Sequence, residues 1–240
     1  MISEAAIWHD LECGSYQADL ECWRTLAADY VGPVLDVGAG TGRVSLMLAA
    51  LGHDVTALDL DDSLLTEIAA RAAGSEIETV CADAREFDLN RQFGLIIVPM
   101  LTVQLFGGRA GRGRFFAAAA KQIAPAGCIA LAIADLHDDG AGANGADAPR
   151  AERCTIGVVG YSTRAIAAKQ RGNQIGIERR REIKAPDGSV EVRSATDWVD
   201  EVTAEQLEAE AAAAGLAIAP RRQIPATDEY IGSAVVCLHG

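Results

Sequence analysis

The sequence contains no apolar run long enough to cross a membrane, although half of its 240 residues are apolar. Its first ten residues lack the basic start and the apolar stretch of a secretory signal. These two absences predict a cytoplasmic protein that has no membrane partner. The length suits one large domain, or one domain that carries a sizeable insertion.

Metal-binding and disulfide patterns are missing as well. The six cysteines, at positions 13, 22, 81, 128, 154 and 237, form no CxxC pair and show no His–Cys ligand spacing. We expect reduced, mostly buried thiols and no metal site.

Positive charge is scarce, and the formal net charge is −13. Phosphate backbones bind to basic surfaces, so this balance argues against nucleic acid as a partner. The exception is residues 150–193, which hold ten Arg and Lys against five Asp and Glu. This segment is either a charged, solvent-facing part of antiparallel strands or a site for an acidic substrate.

A glycine-rich turn follows the first apolar run. The run Val34–Val37 leads into glycines at 38, 40 and 42, and apolar residues at helical spacing come next. This order predicts a strand, a tight turn and the start of a helix. Glycine lets a ligand approach the backbone, and the first turn of a helix offers free N–H groups to an anionic group.

The dinucleotide-binding fingerprint is a close look-alike, but it needs a third glycine where Arg43 stands here. A pyrophosphate would also lie beside the carboxylate of Asp36. Both features argue against NAD. A carboxylate next to amide donors instead suits a ligand that carries an amino group and a carboxylate together.

The pattern Asp36-x-Gly38-x-Gly40-x-Gly42 resembles the first motif of the class I S-adenosylmethionine-dependent methyltransferases. Asp59 ends the second apolar run, 21 residues after Gly38, and an acid at this distance can accept both ribose hydroxyls. A helix N-cap is the alternative role, although Asp61 fits it better. By resemblance, Asp83 and Ala84 after the third strand would meet the adenine.

The resemblance implies a cofactor site for S-adenosylmethionine, which leaves as S-adenosylhomocysteine. The residues expected to bind it are Tyr16, Asp36, Gly38, Ala39, Gly40, Thr41, Arg43, Asp59, Leu60, Asp83, Ala84 and Pro99. Those expected to meet the substrate are Met100, Gln104 and His137, with His137 as a general base if the acceptor is an alcohol or a phenol. Tyr16 is equally suited to anchoring a helix, Met100 to packing, and His137 to a loop without catalytic function.

Five strands alternate with helices through residue 135, which predicts an α/β fold with a doubly wound, Rossmann-like sheet. By resemblance the sheet has seven mostly parallel strands, of which the last is antiparallel, and it carries an antiparallel β-insertion. We expect an N-terminal helical lid over 1–33, a cofactor-binding core over 34–137, a loop and β-insertion over 138–199, and a return to the sheet over 200–240. The insertion would cover the substrate or form a homodimer contact.

Finer patterns predict individual elements. Before the first strand, helical spacing predicts a stripe formed by Leu20, Trp23, Leu26 and Ala27. A helix is expected over about 109–124, followed by a strand over 128–134, and Thr203 with Gln206 predicts a capping box. Period-two alternation predicts strands over 155–161, 164–170, 174–184 and 189–199, with turns at 171–173 and 186–188.

The predicted function is methyl transfer to a small molecule. The fourth strand ends Val98-Pro99-Met100-Leu101, without the polar residue, two prolines and aromatic ring that orient a base for amino-methylation. Two alternatives stay open: an inactive cofactor-binding or scaffold protein with the same fold, and an NAD-linked oxidoreductase, against which Asp36 and Arg43 both argue. No motif distinguishes a nitrogen, oxygen or carbon acceptor.

Overall fold

The structure is a computed structural model that describes residues 2–72, 74–134, 151–227 and 232–240. The chain divides into two compact units. One comprises the described parts of Met1–Tyr16 and Leu136–Glu201, and the other those of Gln17–Asp135 and Val202–Gly240. The predicted divisions at 33, 137 and 199 remain predictions.

The described residues form the following elements. The strands are β1 Val34–Val37, β2 Val55–Asp59, β3 Ile77–Cys81, β4 Phe93–Val98, β5 Ile123–Ala134, β6 Glu152–Ile156, β7 Val159–Arg171, β8 Gln174–Lys184, β9 Val190–Asp200, β10 Ala217–Ile224 and β11 Ser233–His239. The α-helices are α1 Glu4–Cys13, α2 Leu20–Asp29, α3 Arg43–Ala50, α4 Asp62–Arg71, α5 Gly108–Gln122 and α6 Ala204–Ala213, and a 3-10 helix spans Thr102–Leu105.

The larger unit is built on a seven-stranded sheet in the order β10-β11-β5-β4-β1-β2-β3. Strands β1 to β5 run parallel, whereas β11 is antiparallel to both β5 and β10. This arrangement confirms the predicted fold class. The order reverses at β1, whose chain continues to β2 on one side and is flanked by β4 on the other. Ligands of such sheets bind at the carboxyl ends of the strands beside this reversal.

The core of this unit follows directly from the apolar runs. All residues of β1 and β4 are buried, as expected for central parallel strands that helices cover on both faces. Three of the four residues of the stripe predicted for α2 are buried, Trp23, Leu26 and Ala27, whereas Leu20 is half-buried. The predicted capping box of α6 is formed: the Thr203 side chain accepts from the backbone N–H of Gln206, and the Gln206 side chain accepts from that of Thr203.

The smaller unit contains a four-stranded antiparallel sheet in the order β6-β7-β8-β9. Helix α1 packs on it through Ile7, Trp8 and Leu11, which contact Tyr161 and Ile183. The predicted antiparallel β-insertion is therefore present. The turn predicted at residues 171–173 joins β7 to β8.

Two predicted boundaries were wrong. A strand expected over 155–161 is split, because Ile156 pairs with Val159 across a tight turn in which Gly157 has a φ of 62°. A helix expected to reach residue 124 ends at Gln122, and β5 begins at once rather than at Cys128. The added segment carries a register shift against β4, as expected where proline removes a backbone donor.

None of the helices in the described ranges combines the length and the apolar character of a membrane span.

Candidate functional site

The turn after β1 takes the left-handed backbone that its glycines allow. Gly38, Gly40 and Gly42 have φ values of 71°, 56° and 90°. A Cβ atom at Gly38 would lie 2.4 Å from Cγ2 of Thr102, so any other residue there requires the Thr102 side chain to move. The backbone N–H groups of Gly38 and Ala39 donate to the carbonyl oxygen of Leu58, over 2.8 and 3.0 Å. The turn is thus held against β2, with α3 starting directly behind it.

Asp59 lies beside this turn. Its Oδ2 accepts a hydrogen bond from the backbone N–H of Gly40 over 2.8 Å, and its Oδ1 accepts from that of Asp61 over 3.0 Å. A carboxylate oxygen has two lone pairs, so each Asp59 oxygen can accept one more donor. The carbonyl oxygen of Asp59 accepts from the N–H of Ala82 over 3.0 Å, which brings the end of β3 to the same edge.

Asp36 is buried at the end of β1, with 1% of its surface exposed. Its Oδ2 accepts from Oγ of Ser45 over 2.6 Å, but its Oδ1 has no hydrogen-bond partner among the described residues. Burial raises the pKa of the Asp36 carboxyl to about 6, although Ser45 and the charge of Arg43 act in the opposite direction. A buried acceptor without a donor is costly, and it is the partner that an ammonium group of a ligand requires.

Asp83 follows β3 and forms an ion pair with Arg85. Its Oδ1 accepts from the backbone N–H and Nε of Arg85, each over 2.8 Å, and its Oδ2 accepts from Nη2 over 2.6 Å. Hydrogen bonding to Arg85 lowers the pKa of the Asp83 carboxyl to about 2. This acid is therefore ionised at neutral pH and remains partly exposed, with one-quarter of its side chain accessible. Ala84 packs against the core beside it.

The end of β4 supplies the fourth part of the edge. Pro99 is buried, and Met100 has a φ of 56°, which is rare for a residue with a side chain. Such backbone strain concentrates at functional sites. Gln104 is 1% exposed, and its Oε1 accepts from the backbone N–H of Ala134 over 3.2 Å. It holds the end of β5, and its contact with a substrate stays a prediction.

Sequence reasoning named Arg43 as a ligand contact and missed its partner. The guanidinium of Arg43 donates to the carboxylate of Asp19, which is fully buried and also accepts from Nε1 of Trp23. The spacing of Asp19 and Trp23, four residues apart at the start of α2, was the available signal.

The remaining predicted residues are placed as follows. Thr41 and Ala39 are buried within the turn, whereas the side chain of Leu60 is 70% exposed. Tyr16 is buried but belongs to the smaller unit, and His137 lies outside the described residues. Their roles stay predictions. In the part of the chain that the structure describes, no three His, Cys, Asp or Glu side chains are grouped as metal ligands.

Residues 34–127 match the family model described as a methyltransferase domain. A curated relative, the tRNA1(Val) (adenine(37)-N6)-methyltransferase of Bacteroides fragilis, is 34% identical over 87 residues. That match covers 33% of this chain and 36% of the relative, so the chain spans only about a third of the relative's length.

Solved structures match over nearly the whole chain. The sugar N-methyltransferase KedS8 from Streptoalloteichus sp ATCC 53650 has a TM-score of 0.74 at 17% identity, covering 100% of this chain and 95% of that one. The S-adenosylmethionine-bound amino pentose methyltransferase CalS10 from Micromonospora echinaspora has a TM-score of 0.69 at 20% identity, covering 98% and 97%. Residues 34–127 thus match a methyltransferase domain, and the chain has the fold of these solved methyltransferases.

Proposed function

We propose that this protein transfers the methyl group of S-adenosylmethionine to a small-molecule acceptor. The observation that carries the proposal is the meeting of three features at one edge of the sheet. They are the glycine turn at 38–42, the carboxylate of Asp59 bonded to that turn, and the unsatisfied oxygen of Asp36. The glycine turn lets a ligand approach the backbone, Asp59 can accept ribose hydroxyls, and Asp36 can accept from an ammonium group.

The binding mode follows from these positions. The methionyl group would lie against the glycine turn, and Asp36 Oδ1 would accept from its ammonium. Each oxygen of Asp59 would accept one ribose hydroxyl while it keeps its present backbone donor. Asp83 and Ala84 would meet the adenine, with Asp83 held in its ionised form by Arg85.

The bound cofactor supplies a methyl group that is already activated for in-line displacement. The chain therefore has to bind, to orient and to exclude water. Met100, which follows β4 with a left-handed backbone, would lie on the acceptor side of the site.

An amine on a small molecule is the acceptor that we propose, because it needs only to be bound neutral and requires no general base. CalS10 and KedS8 are named as amino pentose and sugar N-methyltransferases, which supports this choice. The net charge of −13 and the strand end Val98-Pro99-Met100-Leu101 speak against the adenine of a tRNA. The proposal includes a cytoplasmic location and allows a homodimer.

The test is transfer of radiolabelled methyl from S-adenosylmethionine into a set of amino sugars, with alcohol sugars and tRNA as parallel acceptors. Label in an amino sugar supports the proposal, whereas label in tRNA alone contradicts it. Binding of the cofactor without transfer to any small molecule of a metabolite extract would favour the alternative, an inactive cofactor-binding protein. Binding of NAD in place of S-adenosylmethionine would favour an oxidoreductase.

A further inference from the structure

A buried ion pair lies directly behind the glycine turn. Arg43 is the first residue of α3, and Asp19 immediately precedes α2. Nη1 and Nη2 of Arg43 donate to Oδ1 and Oδ2 of Asp19 over 2.5 and 2.7 Å, and Nε1 of Trp23 donates to Oδ2 over 2.8 Å. The Asp19 side chain is fully buried, and that of Arg43 is 11% exposed.

Packing alone does not account for two buried charges at this place. Removing a carboxylate and a guanidinium from water costs free energy, and well-packed apolar side chains often hold helices as well. The pair is thus best explained by the electrostatic effect of its two charges on their surroundings.

The charge of Arg43 acts on the proposed cofactor site. Arg43 directly follows Gly42 of the turn as the first residue of α3, and its charge also lowers the pKa of Asp36 against the effect of burial. The proposed ligand carries a positive sulfonium, and an uncompensated guanidinium near the turn would repel it. Asp19 places a full negative charge on that guanidinium through two parallel hydrogen bonds.

We propose that Asp19 is a charge-balancing and positioning residue, which neutralises Arg43 and thereby prevents Arg43 from weakening the binding of the sulfonium cofactor relative to its neutral thioether product. This inference rests on the proposed function. Under this inference, Asp19 affects the affinity for the sulfonium more than the affinity for the thioether. A purely structural role would affect both affinities equally.

The two ligands make this difference measurable. S-adenosylmethionine and S-adenosylhomocysteine share the adenosine, the ammonium and the carboxylate, and differ by one methyl group and one positive charge. A variant that merely fits both ligands less well therefore leaves the ratio of their dissociation constants unchanged. A unit charge acting across roughly 10 Å of a partly buried site changes the binding of a cation by about tenfold.

The experiment is calorimetric titration of both ligands into the full-length protein and three variants. Asp19→Asn removes the balancing charge, and we expect it to weaken S-adenosylmethionine about three- to tenfold more than S-adenosylhomocysteine. Trp23→Phe removes a donor to the same carboxylate without changing any charge, so the ratio should stay as in the wild type. The double variant Asp19→Asn with Arg43→Gln removes both charges and should restore the ratio.

An Asp19→Asn protein that binds both ligands with equally reduced affinity would overturn the inference and leave the proposed function standing. A wild-type protein that binds neither ligand would instead overturn the proposed function. If Asp19→Asn fails to unfold cooperatively, Arg43→Gln at pH 8 provides the test in the opposite direction. In this variant the affinity for S-adenosylmethionine should rise relative to that for S-adenosylhomocysteine. An unchanged ratio of the two dissociation constants, or a change in the opposite direction, refutes the inference.

Discussion

The carboxylate of Asp59 connects two parts of the cofactor site at the scale of single residues. One oxygen holds Gly40 in the turn, and the other holds the backbone at Asp61 before α4. The ribose contact was predicted from the position of an acid at the end of the second strand. The bond to Gly40 was not predictable, because it depends on the left-handed path of the turn, which brings that N–H toward β2.

Replacing Asp59 with Asn tests its proposed contact with the ribose. The amide keeps similar volume but accepts with only one oxygen, so we expect the affinity for S-adenosylhomocysteine to fall by about 1–3 kcal/mol. Calorimetric titration provides the measurement. Asp61→Ala is the matched control, because Asp61 caps α4 through Ser63 and has no proposed ligand contact. Equal affinities in Asp59→Asn and the wild type would remove Asp59 from the site.

Asp36 gives the stability of the protein a specific pH dependence. Burial raises the pKa of Asp36 in the folded state from its ordinary value of 3.8 to about 6, so the folded state keeps this proton to a higher pH than the unfolded state does. The contribution of this group to stability is therefore full below pH 4 and is lost as the pH rises to about 6, by about 2–3 kcal/mol in total. The Asp36→Asn variant has no carboxyl at this position, so its stability should not show this loss as the pH rises.

The measurement is the free energy of unfolding of both proteins in denaturant at pH 4 and at pH 7. We expect the variant to gain stability relative to the wild type between these two values. A constant difference across this range would show that Asp36 titrates near its ordinary pKa.

At the scale of elements, the glycine turn and the 3-10 helix after β4 are fitted to each other. The turn was predicted from three alternate glycines. Its contact with the 3-10 helix was not predicted, because no local pattern links residue 38 to residue 102. The boundary between α5 and β5 was also misplaced. The local pattern of residues 123–124 is typical of the end of a helix, but in the structure this segment pairs with β4. Local patterns thus predicted most elements, and tertiary pairing set their ends.

Gly38→Ala tests the fit between the turn and the 3-10 helix. Its Cβ would overlap Cγ2 of Thr102 and would sit on a left-handed backbone, so we expect unfolding in denaturant to show a loss of about 2–4 kcal/mol. Gly52→Ala is the control, since Gly52 has a φ of 89° and no atom within 4 Å of the added carbon. It should lose only the backbone part, about 1–2 kcal/mol.

Adding Thr102→Ser to Gly38→Ala removes the overlapping methyl group and should recover part of the loss. Equal effects of the Gly38 and Gly52 substitutions would show that Thr102 can move aside freely.

For the whole molecule, the sequence predicted a doubly wound sheet and an inserted antiparallel sheet, and both are present. Apolar runs that end in acids were sufficient for the first, and period-two patterns with turn residues for the second. The ion pair of Asp19 and Arg43 was not predicted, because its members lie 24 positions apart, one just before α2 and the other at the start of α3. The spacing of Asp19 and Trp23 was a local signal for Asp19, but it does not indicate Arg43 as its partner.

The most direct measurement of the central claim is a crystal structure of the protein with S-adenosylhomocysteine bound. We predict both ribose hydroxyls within hydrogen-bonding distance of the Asp59 carboxylate, and the ligand ammonium at Asp36 Oδ1. A ligand found away from the carboxyl ends of β1, β2 and β3, or bound there with its ribose turned from Asp59, would contradict the assignment of this edge as the cofactor site.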